Sequence, residues 1–170
     1  LLEETSAPAG YQIADRIYFQ VDKTGKLFIS KTGEANSFAP AKDTTIVMID
    51  EALSTVKISK IDASNSEQLE GATLEITPKG ETKIDTTKIE VTDSKGAHKA
   101  TVTADKITYV TGKDIVSVTG LPDGKYTLTE ITAPDGYEVA ESIDFEIANG
   151  KVVGNETVEM VDKTSPVATV

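Results

Sequence analysis

The chain has 170 residues, a formal net charge of -11, and neither cysteine nor tryptophan. That length holds one domain and part of another, and the acidic balance excludes nucleic acid and anionic membrane surfaces as partners. No apolar run is long enough for membrane insertion, and no disulfide can staple the fold. With neither a signal peptide nor a cell-wall sorting signal in view, the sequence reads as an internal stretch of a larger protein.

Period-two alternation recurs along the chain, and helical periodicity is almost absent. The alternation predicts strands over Tyr11–Val21, Lys26–Lys31 and Thr44–Asp50, then over Val56–Ile61, Ala72–Thr77, Ile89–Thr92, Ala100–Thr103 and Lys106–Thr111. Further strands are expected over Asp114–Thr119, Gly124–Ile131, Tyr137–Ala148 and Lys151–Asp162. Turn signals separate them, among them Asp22-Lys-Thr-Gly25, Asp93-Ser-Lys-Gly96, Pro122-Asp-Gly124 and Ala148-Asn-Gly150. Short strands at this spacing predict an all-β sandwich.

One stretch occurs twice, as Glu4-Thr-Ser-Ala-Pro-Ala-Gly-Tyr11 and as Glu130-Ile-Thr-Ala-Pro-Asp-Gly-Tyr137. Each copy is followed by a strand-like run ending in aspartate, Ile46-Val-Met-Ile-Asp50 and Val158-Glu-Met-Val-Asp162. Glu4 therefore corresponds to Glu130, Tyr11 to Tyr137 and Asp50 to Asp162. On that alignment residues 54–166 are one complete module, residues 1–53 are the C-terminal half of a preceding one, and residues 167–170 are a linker.

Residues two apart in a strand share a face. Val56 and Ile58 are in phase with Lys60, Tyr126 and Leu128 with Glu130, and Val158 and Met160 with Asp162. The half-module repeats the pattern, with Leu2 in phase with Glu4, and Ile46 and Met48 with Asp50. A charge at a strand end ordinarily escapes to water, because buried charges are rare unless paired. A lysine, a glutamate and an aspartate that each extend an apolar face point instead to a shared interior site. Desolvation there favours neutral amines and neutral carboxyls. A neutral lysine amine is a nucleophile, a protonated aspartyl carboxyl is an electrophile, and a neighbouring glutamate can carry protons between them. The expected product is an amide between the Lys60 and Asp162 side chains, formed once without turnover, so the chain is not an enzyme in the usual sense.

These motifs carry a resemblance. Tyr126-Thr-Leu-Thr-Glu130-Ile-Thr-Ala-Pro-Asp-Gly-Tyr137 resembles the E-box of CnaB/SpaA-type modules of Gram-positive surface adhesins and pili. Val56-Lys-Ile-Ser-Lys60-Ile-Asp62, with Leu69-Glu-Gly-Ala-Thr-Leu-Glu-Ile76, is similar to that family's first two strands, and Glu159-Met-Val-Asp162-Lys163 to its last. Most members carry asparagine at the final position; aspartate makes the chain look closer to the module that supplied the SpyTag/SpyCatcher pair. The resemblance implies an immunoglobulin-like, CnaB-type sandwich with Lys60 as nucleophile, Asp162 as acceptor and Glu130 as proton-shuttling catalyst. It also implies an extracellular, cell-wall-anchored stalk whose partners are adjacent modules of the same protein. The stretch Gly80–Gly112 exceeds what a minimal module needs and is expected to add a hairpin.

The half-module has equivalents of the catalyst (Glu4) and the acceptor (Asp50) but no strand to carry a lysine. Lys57 and Lys60 lie just beyond Asp50 and belong to the next module. Residues 1–53 are thus expected to need a complementing segment or chain, with Asp50 unbonded within these 170 residues. No cofactor or metal is expected: His98, the only histidine, sits in a polar turn without ligand partners. The sequon Asn155-Glu-Thr157 is read as incidental in a bacterial surface protein. Two rival functions are a module that itself contacts a host matrix protein and a carbohydrate-binding sandwich. Both want an exposed aromatic cluster, whereas aromatics make up 5% of the chain.

Overall fold

The computed structural model describes residues 1–8 and 10–166. The expected linker at 167–170 lies outside the described residues. The chain divides into two compact units, Leu1–Leu53 and a second beginning at Ser54. Every element is a strand, with no helix among the described residues.

The first unit carries β1 (Tyr18–Val21), β2 (Leu27–Ser30) and β3 (Ala39–Pro40), an antiparallel sheet in the order β1-β2-β3. It has little interior: Ala14, Leu27 and Ser30 are the buried ones among its described residues, while Ile13, Phe19, Val47 and Ile49 are exposed. Two expectations fail here. Tyr11–Val21 is a strand only from Tyr18, and Thr44–Asp50 is not a strand. Ile46, Met48 and Asp50 are nevertheless half-buried while Val47 and Ile49 are exposed. The side chains alternate as in a strand, but no neighbouring strand takes the backbone hydrogen bonds that would make it one.

The second unit is built from two sheets. One runs β14 (Thr157–Asp162), β4 (Thr55–Asp62), β10 (Val116–Thr119), β6 (Glu90–Asp93) and β7 (Gly96–Ala97). The other runs β13 (Lys151–Val152), β12 (Ile143–Ala148), β11 (Gly124–Thr132), β5 (Thr73–Pro78), β9 (Ile107–Val110) and β8 (Ala100–Val102). Their inward faces supply one core, with Val56, Ile58, Val118, Val158 and Met160 from the first and Leu74, Ile76, Ile107, Tyr126, Leu128 and Ile147 from the second. Polar residues alternate outward, as a sheet with one wet face requires. The outward hydroxyls of Thr127 and Thr129 bond Asp144 and Ser142 respectively.

The stretch Gly80–Gly112 is not one appended hairpin. It supplies β6 and β7 to one sheet and β8 and β9 to the other, extending both at the same side of their strand order. His98 belongs to this region and is more than a turn residue. Its Nδ1 lies 2.8 Å from Asp93 Oδ2, its Nε2 lies 2.8 Å from the Val110 carbonyl, and its ring meets Tyr109 edge-on. The expected strand Lys151–Asp162 breaks into β13 and β14, and the expected strand Tyr137–Ala148 begins only at Ile143. The hairpin between β12 and β13 turns on Asn149 and Gly150, with φ of 54° and 69°. Positive φ at both central positions is the hairpin geometry that an Asn-Gly pair favours.

A candidate lysine–carboxylate reaction centre

Three strands deliver the site. β4 and β14 are neighbours and run parallel, with Lys60 opposite Met160 and Asp162 opposite Asp62. Asp162 is therefore the diagonal neighbour of Lys60 on the inward face, within reach of a lysine side chain. β11 brings Glu130 from the other sheet. Its pairing with β5 slips between Glu130 and Thr132, and such a bulge re-aims the side chains beside it.

The geometry is close and dry. Lys60 Nζ contacts Asp162 Oδ1 directly and lies 2.9 Å from Glu130 Oε1. Lys60, Glu130 and Asp162 are 2%, 3% and 0% exposed, so no water shell supports their charges. Glu130 is aimed by its other oxygen, Oε2, which accepts the Ala140 backbone N–H at 2.6 Å. Two acceptors stay without a hydrogen bond: Asp162 Oδ2, and Glu130 Oε1, which faces Nζ at ion-pair distance but not in hydrogen-bonding alignment. Burial raises the Asp162 carboxyl above the usual aspartate range; the Lys60 contact opposes the rise and the Glu130 charge adds to it. A raised carboxyl holds its proton more readily, and a protonated carboxyl is what an amine can attack.

All three residues read from strand phase meet here. Asp62, which phase also marks as the next residue after Lys60 on the inward row, was missed. It is buried, and its Oδ1 accepts the Ser64 backbone N–H and hydroxyl while Oδ2 accepts the Tyr137 hydroxyl at 2.6 Å. Those donors, Tyr137 first, hold the Asp62 carboxyl below its ordinary range. Gln68 was missed as well; it donates to Ser59 Oγ on the outer side of β4.

The repeated turn is the same object in both units. Gly10 and Gly136 have φ of +82° and +86°, which favours glycine, and the Tyr11 and Tyr137 N–H groups close onto Pro8 and Pro134 at 3.1 Å in each case. The chain ends pair alike: Gln12 N–H to Glu51 and Leu53 N–H to Gly10 in one unit, Glu138 N–H to Lys163 and Ser165 N–H to Gly136 in the other. Glu4 Oε2 accepts the Ala14 N–H at 2.7 Å, as Glu130 does from Ala140. The lysine contact is what differs. Glu4 lines an open cleft of about 860 Å³ with Ile13, Ala14, Arg16, Tyr18 and Lys31, yet neither Glu4 nor Asp50 has a lysine ion-pair partner among the described residues.

The model of the SpaA prealbumin-like fold domain matches residues 54–164, well over half of the chain. The chain belongs to this family. No curated protein matches it. Among solved structures it is similar to the pilus adhesin RrgA from Streptococcus pneumoniae, at 19% identity and a TM-score of 0.49, over 84% of this chain and 20% of that one. It is similar to the shaft pilin SpaA from Lactobacillus rhamnosus GG, at 17% identity and a TM-score of 0.46, over 89% of this chain and 71% of that one. The group B streptococcus pilus 2b backbone protein matches at 18% identity and a TM-score of 0.46, over 86% and 52%. The chain thus spans only a fifth of the adhesin's length. At these identities and scores the likenesses carry no argument of their own, and the family rests on the match over residues 54–164.

Proposed function

We propose that residues 54–166 form a load-bearing stalk module of an extracellular Gram-positive adhesin or pilus, locked by an amide between Lys60 and Asp162. The observation that carries the reading is the contact of Lys60 Nζ with Asp162 in a water-free interior, with Glu130 Oε1 2.9 Å from the same nitrogen. Once a proton has passed from the Lys60 amine to the Asp162 carboxylate, Nζ attacks Asp162 Cγ, and the C–N bond forms as the C–O bond to the hydroxyl breaks. Glu130 takes a proton from nitrogen and returns one to the departing oxygen, so one water leaves and Glu130 ends as it began. Proximity supplies much of the rate, since well-placed groups reach effective molarities of order 10⁵ M or more. In the product one Asp162 oxygen is gone, and the amide N–H is left beside Glu130 Oε1.

The position of the bond gives it a mechanical use. β4 opens the module and β14 closes it, so tension entering at Ser54 reaches Lys60, crosses to Asp162 and leaves the module. The segment between them, spanning a sequence separation of 102, bears no load. Single-molecule pulling between positions flanking 54 and 166 tests this. Unfolding the bypassed segment would release about 350 Å of chain, at roughly 3.4 Å per residue. The wild-type module is expected to show no such release and Lys60→Ala to show it; a full release from the wild type overturns the stalk reading.

In the first unit, Glu4 and Asp50 are the corresponding catalyst and acceptor, and a lysine-bearing strand from a complementing segment fills the place of β4. Neighbouring modules of the same surface protein are the partners this arrangement asks for.

A further inference from the structure

β14 is an edge strand, held to the rest of its sheet by β4 alone. Before any bond forms, the acceptor Asp162 therefore sits on an edge strand with a single neighbour in its sheet. The turn that follows Glu130 grips it from outside. Its backbone pairs with the residues just after Asp162, through Glu138 N–H to Lys163, Ser165 N–H to Gly136 and the bridge between Tyr137 and Thr164. The Tyr137 hydroxyl then reaches across to the lysine strand and donates to Asp62 Oδ2 at 2.6 Å, two residues past Lys60 and opposite Asp162 in register. The turn that leaves the Glu130 strand thus pairs with the segment just after the acceptor strand, while the Tyr137 side chain within it reaches the lysine strand. The first unit supplies the contrast: its turn makes the same main-chain bonds, but without a counterpart of β4 Tyr11 is 45% exposed.

We propose that Tyr137 is a positioning residue for the crosslinking reaction, clasping the acceptor strand to the lysine strand through Asp62. The inference rests on the Lys60–Asp162 reading above. Asp62 is suited to the part. It is 6% exposed, forms no ion pair among the described residues, and takes all three of its donors from Tyr137 and Ser64. It acts as a fixed anchor, whereas Asp162 lies against Lys60 and is the carboxyl placed to react.

The test is a time course of crosslinking in the full chain, made by cell-free synthesis and followed by intact mass as the loss of one water. Tyr137→Phe, which keeps the ring and removes the donor, is expected to slow the reaction by about tenfold, the worth of a hydrogen bond to a charged acceptor. Asp62→Ala should slow it equally, and combining the two should add nothing, as for partners in one contact. Asp62→Asn keeps an acceptor for the hydroxyl and should stay within about threefold of wild type. In a Lys60→Ala background, Tyr137→Phe should remain folded at the assay temperature. Wild-type rates for Tyr137→Phe, slowing by Tyr137→Phe without slowing by Asp62→Ala, or loss of folding in the Lys60→Ala background would each overturn the clasp alone. A wild-type chain that never loses water would overturn the crosslink and the clasp together.

Discussion

Lys60 is an amine that water does not reach, placed against two carboxyls of which at most one can be neutralised by it. Either a buried excess of negative charge persists or a proton resides on a carboxyl, and burial directs that proton toward Asp162. Lys60→Ala and Asp162→Ala each remove a reactant and should leave the folded chain at its full mass. Glu130→Gln keeps both reactants in place and removes the proton carrier; it should crosslink at least about a hundredfold more slowly, the low end of general acid–base contributions. Equal rates for Glu130→Gln and wild type by intact mass would assign the proton transfers elsewhere. A pH effect follows in the uncrosslinked protein. A carboxyl whose folded pKa lies above its unfolded value binds its proton more tightly when folded, so its contribution to stability falls as pH rises through that folded value. In a Lys60→Ala background, adding Asp162→Asn should therefore raise Tm at neutral pH, with the gain shrinking as pH is lowered toward the unfolded aspartate value near 3.9. A gain that grows on acidification would contradict the direction. The Asp62 carboxyl, held down by Tyr137 and Ser64, acts oppositely: its contribution is present at neutral pH and lost below that value.

At the scale of elements, strand phase was enough to find Lys60, Glu130 and Asp162 because a buried face runs unbroken along each strand to the charged residue. The same phase marks Asp62, yet only the fold shows that Tyr137 comes from 75 residues away to meet it. Alternation reports which face is apolar and not which neighbour takes the backbone bonds. Thr44–Asp50 therefore reads as a strand without being one, and Gly80–Gly112 reads as an insertion while supplying strands to both sheets. The adjacency of first and last strands sets the value of the bond. Closing a loop of 102 residues restricts the unfolded chain by roughly 4.7 kcal/mol on the disulfide analogy. At about 4 °C per kcal/mol for a domain near this size, Lys60→Ala should melt about 20 °C below wild type. Lys57→Ala, on the exposed face of the same strand, should melt with the wild type. Calorimetry of the two variants decides it, and a Lys60→Ala midpoint equal to wild type would remove the bond from the stability of the module.

At the scale of the whole chain, the two units share one turn and one pattern of chain-end pairing but differ in what they bury. The second has a continuous core; the first has three buried residues among those described and an open cleft beside Glu4. A sheet of three short strands with so little interior is marginal alone, so in the isolated chain the first unit should exchange its amide protons much faster than β4 or β11. Comparable protection in both units would show that residues 1–53 need no complementing strand. The crosslink itself is tested most directly by intact mass of the folded 170-residue chain, followed by proteolysis and peptide sequencing. The account predicts a mass one water below that of the sequence and one branched peptide joining Lys60 to Asp162, with Asp50 unmodified. A full mass, or a branch at Asp50, would contradict it.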